Sequence, residues 1–516
     1  MARRVIKRKK QENRTSENFN TNLTKTLKEN IDNIKKMLDS PMDLVIRDLR
    51  LANHKCAIVY LDGLSNSIQI EQSVLKNLGE IERKQELPTN HDNLLALIHE
   101  ELISISGVKN VATMDELMLE LLSGSSVFLL DGVNRVLLLD TKKWESRAIQ
   151  EPVSESLIRG PRDGFVENLS TNIMLIRRHI RDPNLHFKVH DVGRRSKKKI
   201  VVAYIAGIIH PQILDEVNRR LASIDTDAAL ESGYIEQWIE DSFLSPIPQM
   251  DNSERPDKAA AALTKGKFVI ILDGSPFVLI APSTIAGAFQ SPEDYYERWI
   301  IGTLIRGLRY LAAFITIFLP ALYIALVSYH PGMIPSQLAF SIAATRQGVP
   351  FPAFVEAVLM AITMELLREA GARLPKTIGQ TIGIVGGLVI GEAAVSAGVV
   401  SPIMVIVVAL TAVASFTIPM YSVAISFRLI RFGFMVAAAF LGLYGIILGY
   451  IMINIHIVNL KSFGIPYSAP YAPTFIKDWK DLVLRMPIPM LSSRPEHLQP
   501  SDKVSGSMRG DKDAGV

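Results

Sequence analysis

The chain has 516 residues, too many for one ordinary domain. Its 48% hydrophobic and 21% charged content suits a polar part joined to an apolar one, not a single soluble enzyme. Its 56 basic and 52 acidic residues leave a net charge of +4, which excludes a globally basic nucleic-acid binder. The single cysteine, Cys56, excludes internal disulfides and thiolate metal sites of the usual spacing; no His-Glu-x-x-His, phosphate loop or Gly-x-Ser-x-Gly occurs, so no enzyme site, cofactor or metal is expected.

Residues 1–40 open with the basic run 2–10 and continue polar, without the apolar stretch of a signal peptide. They read as a disordered arm, and the residues that follow are expected to be cytoplasmic. The stretch 55–63 is a buried-strand pattern running into a turn, with a helix-like segment over 67–78. At 124–132, continuing through Val136, a strand, an Asp131-Gly132 turn and a second strand follow. Both units return, at 199–207 with an offset of 144 and at 266–274, with Asp273-Gly274, 142 residues later. Two related α/β modules are predicted, 41–147 and 195–290. The Asp-Gly pairs read as hairpin turns, since that geometry demands such residues.

The intervening 148–194 reads as a linker with the densest polar motif in the chain. Asp163 can cap a helix from Gly164 to about Ile180, with Leu169, Ile173, Ile176 and Ile180 as its apolar stripe. Arg177, Arg178 and Arg181 leave its last turn, and Arg159 and Arg162 can join them. Such a set suits phosphate or acidic lipid, or salt bridges between domains or subunits, and makes the helix a candidate coupling element.

A bilayer core about 30 Å thick needs about 20 apolar helical residues. Every long charge-free run lies after residue 309. The predicted membrane domain, 291–460, has spans at 310–329, 378–400, 402–427 and 432–458, with a break at Ser401-Pro402. The segment 353–367 carries Glu356 and Glu365 and is open between a span, a re-entrant helix and an interfacial helix. Arg298, Arg306 and Arg309 mark the inner side, and Pro292–Tyr296 with Trp299 is expected to join the two halves. Four or six spans would return the tail inside, and five would leave it outside. Gly379, Gly383, Gly387 and Gly391 share a helix side suited to close packing within or between subunits. Thr381, Val385, Leu388, Glu392 and Ser396 share the adjacent face. They are candidate pore-lining residues, with Val385 and Leu388 as a hydrophobic gate and Glu392 as a cation-attracting ring; the alternative pairs Glu392 with Arg368 or Arg373 inside the bundle. The tail, 461–516, is proline-rich and then reads as disordered beyond about Ser492.

At Glu151-Pro-x-x-Glu155, Ile158-Arg-Gly-Pro-Arg-Asp-Gly-Phe165, Leu175-Ile-Arg-Arg178, Asp273-Gly-Ser-Pro-Phe277, Pro292-Glu-Asp-Tyr-Tyr296, Arg373-Leu-Pro-Lys376 and Ile382-Gly-Ile-Val-Gly-Gly387, the chain resembles the A subunit of the GerA-type spore germination receptors of endospore-forming Firmicutes. The resemblance covers about 40–490. It implies a non-enzymatic, multi-pass subunit of the spore inner membrane; from the residues themselves, membrane lipid is an expected contact and nucleic acid is not, because no aromatic residues interleave the basic runs. The resemblance further implies a transporter-like B subunit that binds the nutrient, a lipoprotein C subunit, and a pentameric homo-oligomer acting as a nutrient-gated cation channel. A secondary transporter and a non-conducting signal-transducing scaffold are the alternatives.

Overall fold

A computed structural model describes residues 23–51, 53–79, 87–101, 107–142, 151–152, 154–374 and 386–505. Thr381, Val385, Gly379 and Gly383 lie outside the described residues. Two five-stranded sheets form the polar half. The first holds β1 (Leu44–Leu51), β2 (His54–Leu61), β3 (Val108–Val111), β4 (Ser126–Leu130) and β5 (Val136–Leu139), in the order β1-β2-β4-β5-β3. The second holds β6 (Leu185–Val192), β7 (Lys198–Ile205), β8 (Asp251–Ser253), β9 (Phe268–Leu272) and β10 (Val278–Ala281), in the equivalent order β6-β7-β9-β10-β8.

All named neighbours in both sheets run antiparallel. The polar half is mixed helix and sheet, its expected pair of modules built on antiparallel sheets and not on parallel βαβ units. A strand–helix–strand order suggests a parallel crossover, but β2 meets β4 antiparallel, with Cys56 opposite Leu130.

The central strands are apolar on both faces because both faces are covered. Ala57, Val59 and Val127 of the first sheet and Val201, Ala203 and Val269 of the second share one core with the helices Leu27–Leu38, Met114–Leu122, Leu169–His179 and Pro256–Thr264. The alternate residues point away. Cys56, Ile58 and Phe128 pack under His91–Glu101, and Ile200, Val202 and Ile270 under Pro211–Ala222 and Ser232–Ile239.

The Asp-Gly pairs are turns, and each also docks a helix. Gly132, at φ +90°, donates its N–H to Lys25 (2.8 Å), and Asp131 accepts from the N–H of Leu27 (2.9 Å). Gly274, at φ +85°, donates to Glu167 (2.8 Å). Leu27–Leu38 and Leu169–His179 are therefore corresponding helices. The sequence reading placed the first in the disordered arm and the second in a linker. Ile34 and Leu38 are fully buried, and β6, also assigned to the linker, pairs along its length with β7. The helix starts at Leu169, capped by Asn168, and not at Gly164. The reason is that Phe165 gives its N–H to Glu254 (2.7 Å) and Asn172 holds both backbone groups of Val166, which keeps that stretch out of the helix.

In the apolar half, Trp299–Ser328 and Tyr421–Asn459 are, among the described residues, the two helices long and apolar enough to cross a membrane. The segment 353–367 lies in the helix Ala353–Arg373. The span expected over 402–427 stops at Ser415, because Pro419 lacks an N–H and disfavours helical backbone at Ile418; the next helix opens at Tyr421.

That helix is itself broken at Gly442 (φ 56°, ψ −138°), where the chain doubles back. A Cβ on Gly449 would stand 2.8 Å from the Phe434 ring, and Phe318 touches both Phe434 (4.8 Å) and Tyr450 (6.1 Å). Ser426 bonds the carbonyl of Pro246, while His456 lies 2.8 Å from Ser245. The runs 421–441 and 443–459 are thus antiparallel legs of one hairpin. The tail then returns to the second sheet. Phe463 packs on Phe268 (4.9 Å), Leu498 is buried and Ser501 donates to Ile208 (2.9 Å), so the described tail, through residue 505, is folded where disorder was expected from about Ser492.

Candidate functional site at the junction of the two halves

Between the second sheet and the apolar helices lies a chain of buried ion pairs. Arg306 and Arg309 stand three residues apart near the start of Trp299–Ser328, so both face the short helix Glu293–Tyr296. Arg306 Nε lies 3.1 Å from Asp294 Oδ2, and its Nη1 reaches Asp481 Oδ1 (2.9 Å) and the carbonyls of Asp481 (3.0 Å) and Leu482 (2.8 Å). Arg309 Nη1 bonds both Asp294 oxygens (2.8 and 2.9 Å) and the Phe289 carbonyl (3.0 Å). Gly302 permits this approach, since a Cβ there would meet the Asp294 carbonyl at 2.9 Å. From the second sheet's side, Lys265 reaches Tyr295 (3.2 Å), whose hydroxyl donates to Asp481 (2.5 Å). Burial alone would raise the Asp481 carboxyl, but Lys265 and Arg306 outweigh it and hold it below its ordinary range.

A second chain of bonds ties the motif 151–165 to this junction. Arg255 forks onto Asp257 (3.0 and 2.9 Å) and donates to the carbonyls of Glu155 (3.2 Å) and Pro161 (2.9 Å). Tyr296 donates to the same Asp257 (2.6 Å), and burial together with that carboxylate pushes its phenol up. Glu155 is held by Lys258 (2.8 Å) and Ser253 (2.5 Å). Charge-assisted bonds from several elements therefore tie the second sheet unit to Trp299–Ser328. Trp299, half-exposed, opens that helix.

The five candidate coupling arginines do not converge. Arg177 is fully buried and forks onto Asp43 (2.6 and 3.1 Å) ahead of β1, which joins the two sheet units. Arg159 faces Glu297 (3.8 Å), Arg162 faces Glu151 (3.1 Å), and Arg178 and Arg181 are exposed. Of these, the geometry favours salt bridges within the chain for Arg177, Arg159 and Arg162. Sequence reasoning read Arg306 and Arg309 only as markers of the inner side and missed Lys265 and Asp481. The available signal was two arginines at helical spacing directly before an uncharged run.

Among the pore candidates, Leu388 falls in the π-helical turn Gly386–Ile390, and Glu392 and Ser396 are exposed on the helix Gly391–Ser396. Gly391 faces Val405 of Pro402–Ser415, where a Cβ would stand 3.6 Å away, while no described residue comes within 4 Å of a Cβ on Gly387. Arg368 and Arg373 take Glu365 and Glu369 as partners. Both glutamates of the segment 353–367 are paired. Glu356 is buried against Arg346 (2.9 Å) and accepts the N–H of Ser401 (2.8 Å); Glu365 meets Arg368, Arg428 and Arg431.

The family described as Bacillus/Clostridium GerA spore germination protein matches residues 32–497. Spore germination protein GerLA of Bacillus cereus is 50% identical over 485 residues, 94% of this chain and 97% of its own. Spore germination protein KA of Bacillus subtilis (strain 168) is 45% identical, across 93% of this chain and 88% of its own. The crystal structure of the N-terminal domain of the A subunit of the Bacillus megaterium spore germinant receptor GerK3 is 33% identical, with a TM-score of 0.42, over 51% of this chain and 98% of that one. The family match spans the sheets, the junction and the apolar helices alike, and the chain belongs to the GerA family of spore germination proteins.

Proposed function

We propose that the chain is the membrane subunit of a nutrient-sensing germination receptor, and that it forms an oligomeric, pentameric cation channel in the spore inner membrane. Nutrient binds a transporter-like B subunit, a lipoprotein C subunit completes the receptor, and no covalent chemistry is performed by this chain. The observation that carries the reading is the Arg306–Asp294–Asp481 junction, which couples the cytoplasmic sheets to a helix long enough to cross a bilayer. An even number of crossings suits the hairpin at Gly442, which brings the tail back to the second sheet. The two sheet modules, 41–147 and 195–290 with the helices Leu27–Leu38 and Leu169–His179 docked on their Asp-Gly turns, relay the B subunit's signal to the membrane half. Thr381, Val385, Leu388, Glu392 and Ser396 line the pore, with the glycines at 379, 383, 387 and 391 against a neighbouring helix.

The test is nutrient-triggered release of a monovalent cation from liposomes holding the complete receptor. Leu388→Ala or Val385→Ala should leak without nutrient, and Glu392→Gln should lower flux with assembly intact. An assembled, nutrient-binding receptor that passes no ions would make this chain a non-conducting scaffold.

A further inference from the structure

At the end of the helix bundle nearest the sheets, three guanidinium groups share one carboxylate. Arg368 Nη1 takes both oxygens of Glu365 (2.9 and 2.7 Å), Arg428 Nη1 lies 3.2 Å from one and Arg431 Nη2 3.1 Å from the other. A carboxylate has about four lone-pair sites, so these bonds use its capacity. Guanidinium does not deprotonate in proteins, and among the described residues two of the three positive charges have no matching carboxylate.

The mismatch has a direction. Arg431 is only 3% exposed, yet its Nε has no partner among the described residues, and neither has the buried Nε of Arg368. An unpaired donor on a buried cation is costly unless an anion meets it. The Glu365 side chain is 32% exposed, so the cluster opens to its surroundings. The rim is aromatic: Arg368 lies over Phe416 (5.0 Å) and Arg428 over Tyr421 (5.8 Å), and both rings are largely exposed. Ser426, two residues before Arg428, is bonded to Pro246, which fixes the cluster at the level where the bundle meets the second sheet.

We propose that Arg368, Arg428 and Arg431 form a binding site for a phosphate oxyanion, supplied by an anionic phospholipid headgroup or by free phosphate. Guanidinium forks from two helices suit a tetrahedral oxyanion, and exposed aromatic rings suit the headgroup level of a bilayer. Glu365 then orients the three forks and competes with the ligand for them. The phosphate chemistry stands without the membrane reading; only its lipid source rests on that reading.

Full-length protein in nanodiscs of phosphatidylcholine, with and without phosphatidylglycerol, separates the sources when retained lipid is counted by native mass spectrometry and inorganic phosphate is titrated against it. Retained phosphatidylglycerol that resists phosphate identifies the headgroup. A rise in melting temperature with phosphate in pure phosphatidylcholine discs identifies the free ion. Arg431→Gln should weaken either by about tenfold, about 1.4 kcal/mol. Should that variant not fold, Glu365→Gln serves instead, since removing the competing carboxylate should tighten the anion severalfold. No binding by the wild type, or unchanged binding in both variants, overturns the site. So does a Glu365→Gln protein that loses stability and gains no affinity.

Discussion

Asn30 and Asn172 hold the same local ring in the two halves of the polar region. Each exchanges a pair of hydrogen bonds with the backbone of the residue six positions earlier: Asn30 with Thr24 (3.0 and 2.7 Å), Asn172 with Val166 (2.8 and 2.6 Å). Both are buried, in helices that receive the Asp-Gly turns. Alanine at either position strands a backbone N–H and C=O, which should cost about 1–3 kcal/mol per site. Thermal unfolding of the full chain should show a loss for each variant, and equal stability to wild type would show that water serves those groups as well.

At the junction, Arg306→Gln leaves Asp294 and Asp481 short of a buried partner. The expected loss is about 3–5 kcal/mol, since removing one member of a buried pair exposes the other's desolvation cost. Asp294→Asn should be damaging alone and less than additive with Arg306→Gln. A double-mutant cycle on melting temperature checks this, and strict additivity would mean that the two groups do not interact.

Much of this was legible in the sequence because it is periodic. The strands at 55–61 and 199–205, and the hairpins around Asp131-Gly132 and Asp273-Gly274, stand out as apolar runs ended by turn residues. Strand direction was not legible, since an apolar run reads alike in parallel and antiparallel sheets. The helix Leu169–His179 was mistaken for part of a linker because its partner Leu27–Leu38 carries a different surface, with Lys35 and Lys36 in its last turn; the shared asparagine and its bonded neighbour are two weak letters in a long stretch. The reversal at Gly442 was hidden by uniform apolarity, where one glycine among several carries the whole turn. The pairing of Arg306 with Asp481 spans 175 positions and has no local signature.

Gly442 sits at φ 56°, and a Cβ there would lie 2.9 Å from His330 and 3.1 Å from Tyr329. Gly442→Ala should cost about 1–3 kcal/mol in backbone strain, before any clash. Spin labels at the exposed positions Tyr421 and Val458 report the hairpin itself. Antiparallel legs place their axes about 8–10 Å apart, whereas one continuous helix would separate these positions by about 55 Å. A long distance in the wild type would disprove the reversal.

Glu236 and Glu240 flank the end of Ser232–Ile239, and burial first, then neighbouring carboxylates, raises each from an ordinary 4.5 to about 7. The folded state thus binds protons that the unfolded chain has already lost. Their contribution to stability is present below about pH 4.5 and falls as pH rises to about 7. Melting temperature should drop across that window, and Glu236→Gln with Glu240→Gln should flatten the drop. A double variant with the wild-type slope would assign the effect elsewhere.

The two legs of the Gly442 hairpin stand on adjacent residues, Ser245 under His456 and Pro246 under Ser426. A shared footing means that any displacement of this connection ahead of β8 would carry both lower ends together. Such a displacement would tip the legs like one plank, because the Phe434 ring lodged against Gly449 opposes a ratchet of one leg past the other by a helical turn. The contact such a tilt would have to shear is that of Phe318, which belongs to a different helix and touches both legs at once.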